Sequence, residues 1–171
     1  MKKINALAIL GLMVLGACGP RNLAQMPMPA PMDPTQAMAP AVEDNAAIAG
    51  RVLQQINTLR ANIGAAALMP NPQLEAAAMA HARDMSAQNR AWHWGSDGSS
   101  PLDRARRQGF SGVIIGENIS ESYENDMQTL AAWMSTRDTR DVIMDPTATQ
   151  LGFAWFTEPS GKIWWTLLTG S

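Results

Sequence analysis

Six of the eleven prolines fall within residues 19–42, at positions 20, 27, 29, 31, 34 and 40. No helix or strand period survives that density, because proline lacks a backbone N–H and fixes φ. The stretch divides the chain into an apolar start, an extended connector and a remainder able to build a core. Four methionines and several alanines complete its composition. Proline-rich chain is semi-rigid and extends ~3.1 Å per residue, so the connector reads as a tether some tens of Å long. A proline-binding partner or a methionine-rich metal site fits less well, since the segment has no histidine and no cysteine after position 18.

Before the tether, Lys2 and Lys3 precede an apolar run from Ala6 to Leu15. Ten residues are too few to span a bilayer as a helix, which takes about 20. The length suits a signal-peptide core. The run ends in Leu15-Gly16-Ala17-Cys18, and Cys18 is the chain's one cysteine, so a disulfide within the chain is excluded. Small residues ahead of a lone cysteine resemble the bacterial lipobox. That resemblance implies cleavage after residue 17 and a Cys18 carrying palmitate-type acyl chains. Several chains on one cysteine anchor firmly where one does so marginally. Gly19 in place of aspartate implies, by the same resemblance, the outer membrane facing the periplasm if the cell is Gram-negative. Loss of Lys2 and Lys3 takes the basic count from 13 to 11 against 15 acids. A mildly acidic chain offers nothing to nucleic acid and little to anionic lipid by bulk charge.

Residues 43–171 read as one α+β domain. Ile48, Val52, Ile56, Leu59 and Ile63 recur at helical spacing, predicting a helix from Asp44 or Asn45 to Gly64. Leu68–Pro72 reads as a break. Pro72 to Gln88 reads as a second helix with Leu74, Ala78, His81 and Met85 on one face. Ser100, Pro101 and Asp103 form a helix start, with the helix ending near Gln108. Glycines at 109, 112 and 116 bracket the apolar Val113–Ile115. A fourth helix fits Asp126–Ser135, with Met127, Leu130, Ala131 and Trp133 inward. Strands over 148–157 and 162–169, joined at Glu158–Gly161, form a hairpin.

Several segments now resemble one family in order. They are Ile56–Arg60, Leu74–Met85, Trp92-His93 through Gly98-Ser99-Ser100-Pro101 with Asp103-Arg104, and Gly116-Glu117-Asn118-Ile119. Trp133-Met134, Asp145-Pro146, Leu151-Gly152-Phe153 and Trp164-Trp165-Thr166 complete the series. The chain resembles bacterial members of the CAP superfamily of cysteine-rich secretory, antigen 5 and pathogenesis-related proteins over nearly all of residues 46–170. The resemblance implies a three-layer α-β-α sandwich with a small central antiparallel sheet. It also implies a cleft of two histidines and one or two glutamates that holds a divalent metal in some members.

On that resemblance His93 and Glu117 take cleft positions. The second histidine's place is taken by Thr139, followed by Arg140, and Thr136 stands where a second glutamate would be. One imidazole and one carboxylate make a poor site for zinc or another divalent metal, and a hydroxyl does not replace imidazole. No cofactor is therefore expected. His93 and Glu117 retain an acid/base reading. His81 reads as a satisfied helix histidine, and Arg104, Arg106 and Arg107 as a solvated helix face. Ser96, Ser99 and Ser100 read as turn and cap residues. Glu121, Glu124 and Asp126 match no calcium-loop spacing. Trp92 and Trp94 flank His93 and, with Arg140, are the ligand-binding candidates, one ring facing the cleft to stack on a sugar or lipid. The expected function is a membrane-anchored, extracytoplasmic binding or interaction module for a lipid, glycan or envelope protein, and not an enzyme. The alternatives are a protease-like hydrolase using His93 and Glu117, and a structural envelope protein.

Overall fold

A computed structural model describes residues 44–122 and 124–171. The leader, Cys18 and the tether lie outside the described residues. The elements run α1 (Asn45–Asn62), β1 (Met69–Pro70), α2 (Pro72–Gln88), α3 (Pro101–Arg107), β2 (Ile114–Ser122), α4 (Asp126–Ser135), α5 (Arg137–Met144), β3 (Gln150–Thr157) and β4 (Ile163–Gly170).

The helix starts follow from their caps. Asp44 accepts the Ala46 N–H at 3.1 Å, and Asn71 accepts those of Gln73 and Leu74 at 2.9 Å. Ser100 and Asp103 form a reciprocal capping box at α3, as Asn125 and Gln128 do at α4. Val52 and Ile56 are buried at the predicted spacing. Ile63 is not: it caps the C-terminus of α1 and is 61% exposed. Arg60 occupies the buried position instead. Its guanidinium donates to the carbonyls of Ala66, Ile143, Asp145 and Ala148 at 2.8–2.9 Å. Each orphan carbonyl at these chain ends thus gains a charged donor. Ala131, expected inward, is exposed, while Leu130 and Trp133 of the same helix are buried.

The sheet order is β1-β3-β4-β2. β3 and β4 form the expected hairpin, with Trp155 opposite Trp165. Its turn is closed by the Glu158 N–H on the Lys162 carbonyl at 2.8 Å and by Gly161 at φ +86°. β2, where the sequence predicts only a short apolar stretch between glycines, pairs antiparallel with β4 from Ile114 to Ser122. The sheet is antiparallel except at β1, which pairs parallel with β3 at Gln150 and Leu151, where a break was expected. Leu151, Phe153, Trp165 and Leu167 point into a core shared with α1, α4 and α5. Ala154, Leu168 and Trp164 point to the other face, where α2 and α3 pack. Those are the three layers of an α-β-α sandwich.

Gly152 sets the closeness of the α2 layer. A Cβ there would stand 2.2 Å from the Leu74 carbonyl carbon and 2.3 Å from the Glu75 nitrogen, both backbone atoms. Backbone cannot step aside as a side-chain end can. Gly152→Ala is expected to destabilise the domain by about 2–3 kcal/mol, read by urea denaturation. Gly50→Ala, in α1 with nothing within 4 Å, is expected to be neutral or mildly stabilising. Equal stability of the two variants would refute this account of the α2 layer.

Candidate functional site

Strand alternation sends consecutive residues of β2 to opposite faces. Glu117 lies opposite Leu168 and so faces the α2–α3 layer, whereas Asn118 lies opposite Leu167 and faces the other core. Asn118 donates to the Thr139 carbonyl at 2.8 Å. The Glu117 side chain is 2% exposed. A carboxylate buried that far needs charged or hydrogen-bonding partners, and it has one of each kind.

The first is Arg104 on α3. Its Nη2 donates to Glu117 Oε2 at 2.6 Å. Its Nη1 donates to the carbonyls of His93 and Ser99 at 3.0 and 2.9 Å. One guanidinium therefore both neutralises the carboxylate and fixes the loop that carries His93. The solvated-face reading of Arg104 is corrected: the side chain is 6% exposed, while Arg106 and Arg107 stay exposed. No spacing marks the residue in advance, since on its face Pro101 is half-buried and Gln108 exposed.

The second is imidazole. His93 Nδ1 lies 2.9 Å from Glu117 Oε1. A carboxylate only accepts, so Nδ1 carries the proton. In the neutral ring Nε2 is then the accepting nitrogen; the side chain is 54% exposed, and Nε2 has no partner among the described residues. His81, fully buried on α2, donates from Nε2 to the Trp92 carbonyl at 2.9 Å and stands 3.8 Å from Glu117 Oε1. Its Nδ1 is buried without a partner. Burial holds this imidazole below its ordinary pKa, against the pull of Glu117, and the Arg104 cation acts in the same direction as burial.

Thr139 is not joined to this cluster by any hydrogen bond. Its hydroxyl donates to the Trp133 carbonyl at 2.6 Å, at the end of α4. Arg140 is exposed and pairs with its neighbour Asp141 at 3.1 Å. Trp92 and Trp94 lie together over an open recess that neither His93 nor Glu117 lines. The acids near α4 part company: Asp126 pairs with Arg51 at 3.0 Å and Glu121 with Lys162 at 3.3 Å. Among the described residues no group of three or more His, Cys, Asp and Glu side chains converges on a metal position. With Glu117 held by Arg104 and Thr139 turned away, the residues present do not fit a zinc ion.

A separate cavity of about 390 Å³ opens beside β3, past the point where β1 stops. Ala49 and Leu53 of α1, Glu75 and Met79 of α2, and Phe153 and Trp155 of β3 are among the residues that line it.

The chain matches the model of the cysteine-rich secretory protein family (CAP) over residues 53–168. Three solved structures share its fold. An outer surface protein of Borrelia burgdorferi aligns with a TM-score of 0.65 at 14% identity, over 75% of this chain and 96% of that one. An extracellular protein containing an SCP domain from Bacillus anthracis gives 0.62 at 20% identity, over 78% and 45%. A cysteine-rich secretory protein of Staphylococcus aureus gives 0.59 at 15% identity, over 75% and 40%. This chain therefore spans less than half of the last two. No match was found among curated proteins.

Glu117→Gln keeps the shape but strands the Arg104 charge. It is expected to cost about 3–5 kcal/mol in a denaturant titration, and an unchanged midpoint would rule out the buried pair as a support. His81 predicts a pH dependence. The folded chain keeps the ring neutral while the unfolded chain protonates it, so stability is complete above about pH 6.5 and falls below it. His81→Gln is expected to flatten that fall between about pH 7 and about pH 5. An equal slope in both proteins would show that another group governs it.

Proposed function

We propose, for a chain that belongs to the cysteine-rich secretory protein (CAP) family, a binding function: an extracytoplasmic module, anchored through a lipidated Cys18, that takes an apolar ligand beside β3. The observation that carries this reading is the cavity of about 390 Å³ between α1, α2 and β3. Apolar walls of Leu, Met, Phe and Trp suit an acyl-like chain. The apolar run ahead of Cys18 supports the anchor. Among the described residues no helix is long and apolar enough to cross a membrane. Two structural neighbours, an outer surface protein and an extracellular protein, support an envelope location.

A hydrolase is the second reading, and one observation favours it. His93 has Nδ1 held by Glu117 and Nε2 open to solvent, the orientation of a general base. Against it, no serine, threonine or cysteine is hydrogen-bonded to Nε2 among the described residues. The Thr139 hydroxyl is committed to a backbone carbonyl.

The deciding experiment is photocrosslinking in cells expressing the full chain, with a diazirine-bearing palmitic acid as probe. Label is expected on peptides containing Leu53, Met79 or Phe153, and is expected to vanish in Ala49→Trp, which fills the cavity. Label confined to the Cys18 peptide would overturn the cavity reading and leave only the anchor. A casein-hydrolysing activity lost in His93→Ala would move the hydrolase reading ahead.

A further inference from the structure

Trp92 and Trp94 are 36% and 51% exposed on a loop whose backbone is pinned at several points. The Trp92 carbonyl takes the His81 N–H, the His93 carbonyl takes Arg104, and the Gly95 N–H donates to the Ser99 carbonyl at 2.8 Å. Upstream, Asn89 ends α2 in the left-handed region at φ +49°, and its side chain accepts from Lys162 at 3.0 Å. A floppy loop could fold its indoles inward. This one holds both partly exposed, over a recess of about 500 Å³. Large aromatic surface held rigidly in water is unfavourable for the free protein and suits a ligand, because little ordering entropy remains to be lost on binding.

The composition of the recess selects the ligand. Gln88, Arg90 and Ser96 line it with the two indoles and the glycines at 95 and 98. No aliphatic side chain contributes, in contrast to the cavity beside β3. An acyl chain would therefore find no enclosing wall. Asp84, behind the recess, accepts from Gln88 Nε2 at 2.9 Å and from the Ser96 hydroxyl at 2.6 Å. Those bonds orient both side chains and leave Gln88 Oε1 and the Ser96 oxygen lone pairs as acceptors for ligand hydroxyls. Arg90 stacks on Trp92 with its guanidinium carbon 3.4 Å from the ring centroid and has no ion pair among the described residues. It supplies one positive charge, free of any direct ion pair, at the edge of an aromatic platform.

We propose that the Trp92–Trp94 recess is a carbohydrate-binding site that prefers a sugar bearing a carboxylate. The C–H face of a pyranose ring stacks on the indoles, its hydroxyls donate to Gln88 and Ser96, and its carboxylate pairs with Arg90. The site is separate from the apolar cavity and from the His93–Glu117 pair, so it stands whether or not either of those readings fails.

The test is isothermal titration of the full chain, purified in detergent, with tetragalacturonic acid and with the neutral tetramer of N-acetylglucosamine, followed in parallel by tryptophan fluorescence. The acidic oligomer is expected to bind saturably and to quench the fluorescence. Trp94→Ala is expected to weaken it about tenfold, one stacked ring's worth. Arg90→Gln is expected to weaken the acidic oligomer by about tenfold and leave the neutral one unchanged. Both side chains are exposed, so both variants are expected to melt like the parent. Equal affinity for the two oligomers would overturn the acid preference. Absence of binding at millimolar sugar, or binding untouched by Trp94→Ala, would overturn the site. Fluorescence changes given by phosphatidylglycerol vesicles and by neither oligomer would assign the indoles to a membrane surface instead.

Discussion

The buried contact between Arg104 and Glu117 organises one whole side of the molecule. A carboxylate on a sheet face, under a helical layer, is far from water and demands compensation. Arg104 gives it a charged hydrogen bond at 2.6 Å from Nη2 and donates from Nη1 to the carbonyls of His93 and Ser99. α3, β2 and the loop 92–99 are thereby fixed by one side chain. The exposed histidine inherits its position from this arrangement at both its backbone and its ring, since Glu117 also receives Nδ1. The site's geometry is thus set by groups that never meet solvent.

The opposite layer uses the same device for a different end. Arg60 is fully buried and reaches four carbonyls without a carboxylate contact. It ties the chain leaving α1, the end of α5 and the residues entering β3 into one knot. Arginine suits both places because its planar fork presents five donors and stays charged on burial, where lysine offers a single movable point. Two arginines, one per face, hold together segments whose own hydrogen bonds run out at helix and strand ends.

How far the fold was legible follows from where water-facing and core-facing residues alternate. α1, α2 and α4 carry helical spacing and strong starts, and their bounds were readable to within a residue or two. β3 and β4 were readable because their two faces are both apolar and a Glu-Pro-Ser-Gly turn separates them. β2 was not, because it puts Glu117 on one face and Asn118 on the other, each matched to a partner distant in sequence, with Gly116 beside them. A strand whose buried residues are polar has no apolar period to detect. α5 escaped for a related reason: its N-cap Thr136 makes no side-chain capping bond, and the first five residues of the helix, from Arg137, are polar. Within the site, His93 and Glu117 were legible only through resemblance, and Arg104 was misread because an arginine run looks like solvent-facing helix. Nothing local to Arg104 shows that a carboxylate 13 residues onward will arrive above it. Ile63 failed in the opposite sense, since the apolar stripe continued one residue past the helix that would have buried it.

The loop 92–99 shows what this scaffolding makes available. Its anchors are backbone carbonyls and amides, so they hold the chain without engaging the side chains of Trp92 and Trp94. The histidine between them is drawn to Glu117, and the two indoles are left over the recess beside it. One rigid strip of chain can therefore serve an imidazole–carboxylate pair and an aromatic platform independently. Changing a ring in the recess leaves the anchors intact, because none of them passes through an indole. Changing Arg104 releases both, because the carbonyl of His93 and the carboxylate that receives its ring depend on the same guanidinium. The exposed chemistry is modular at the level of side chains and shared at the level of the buried charge.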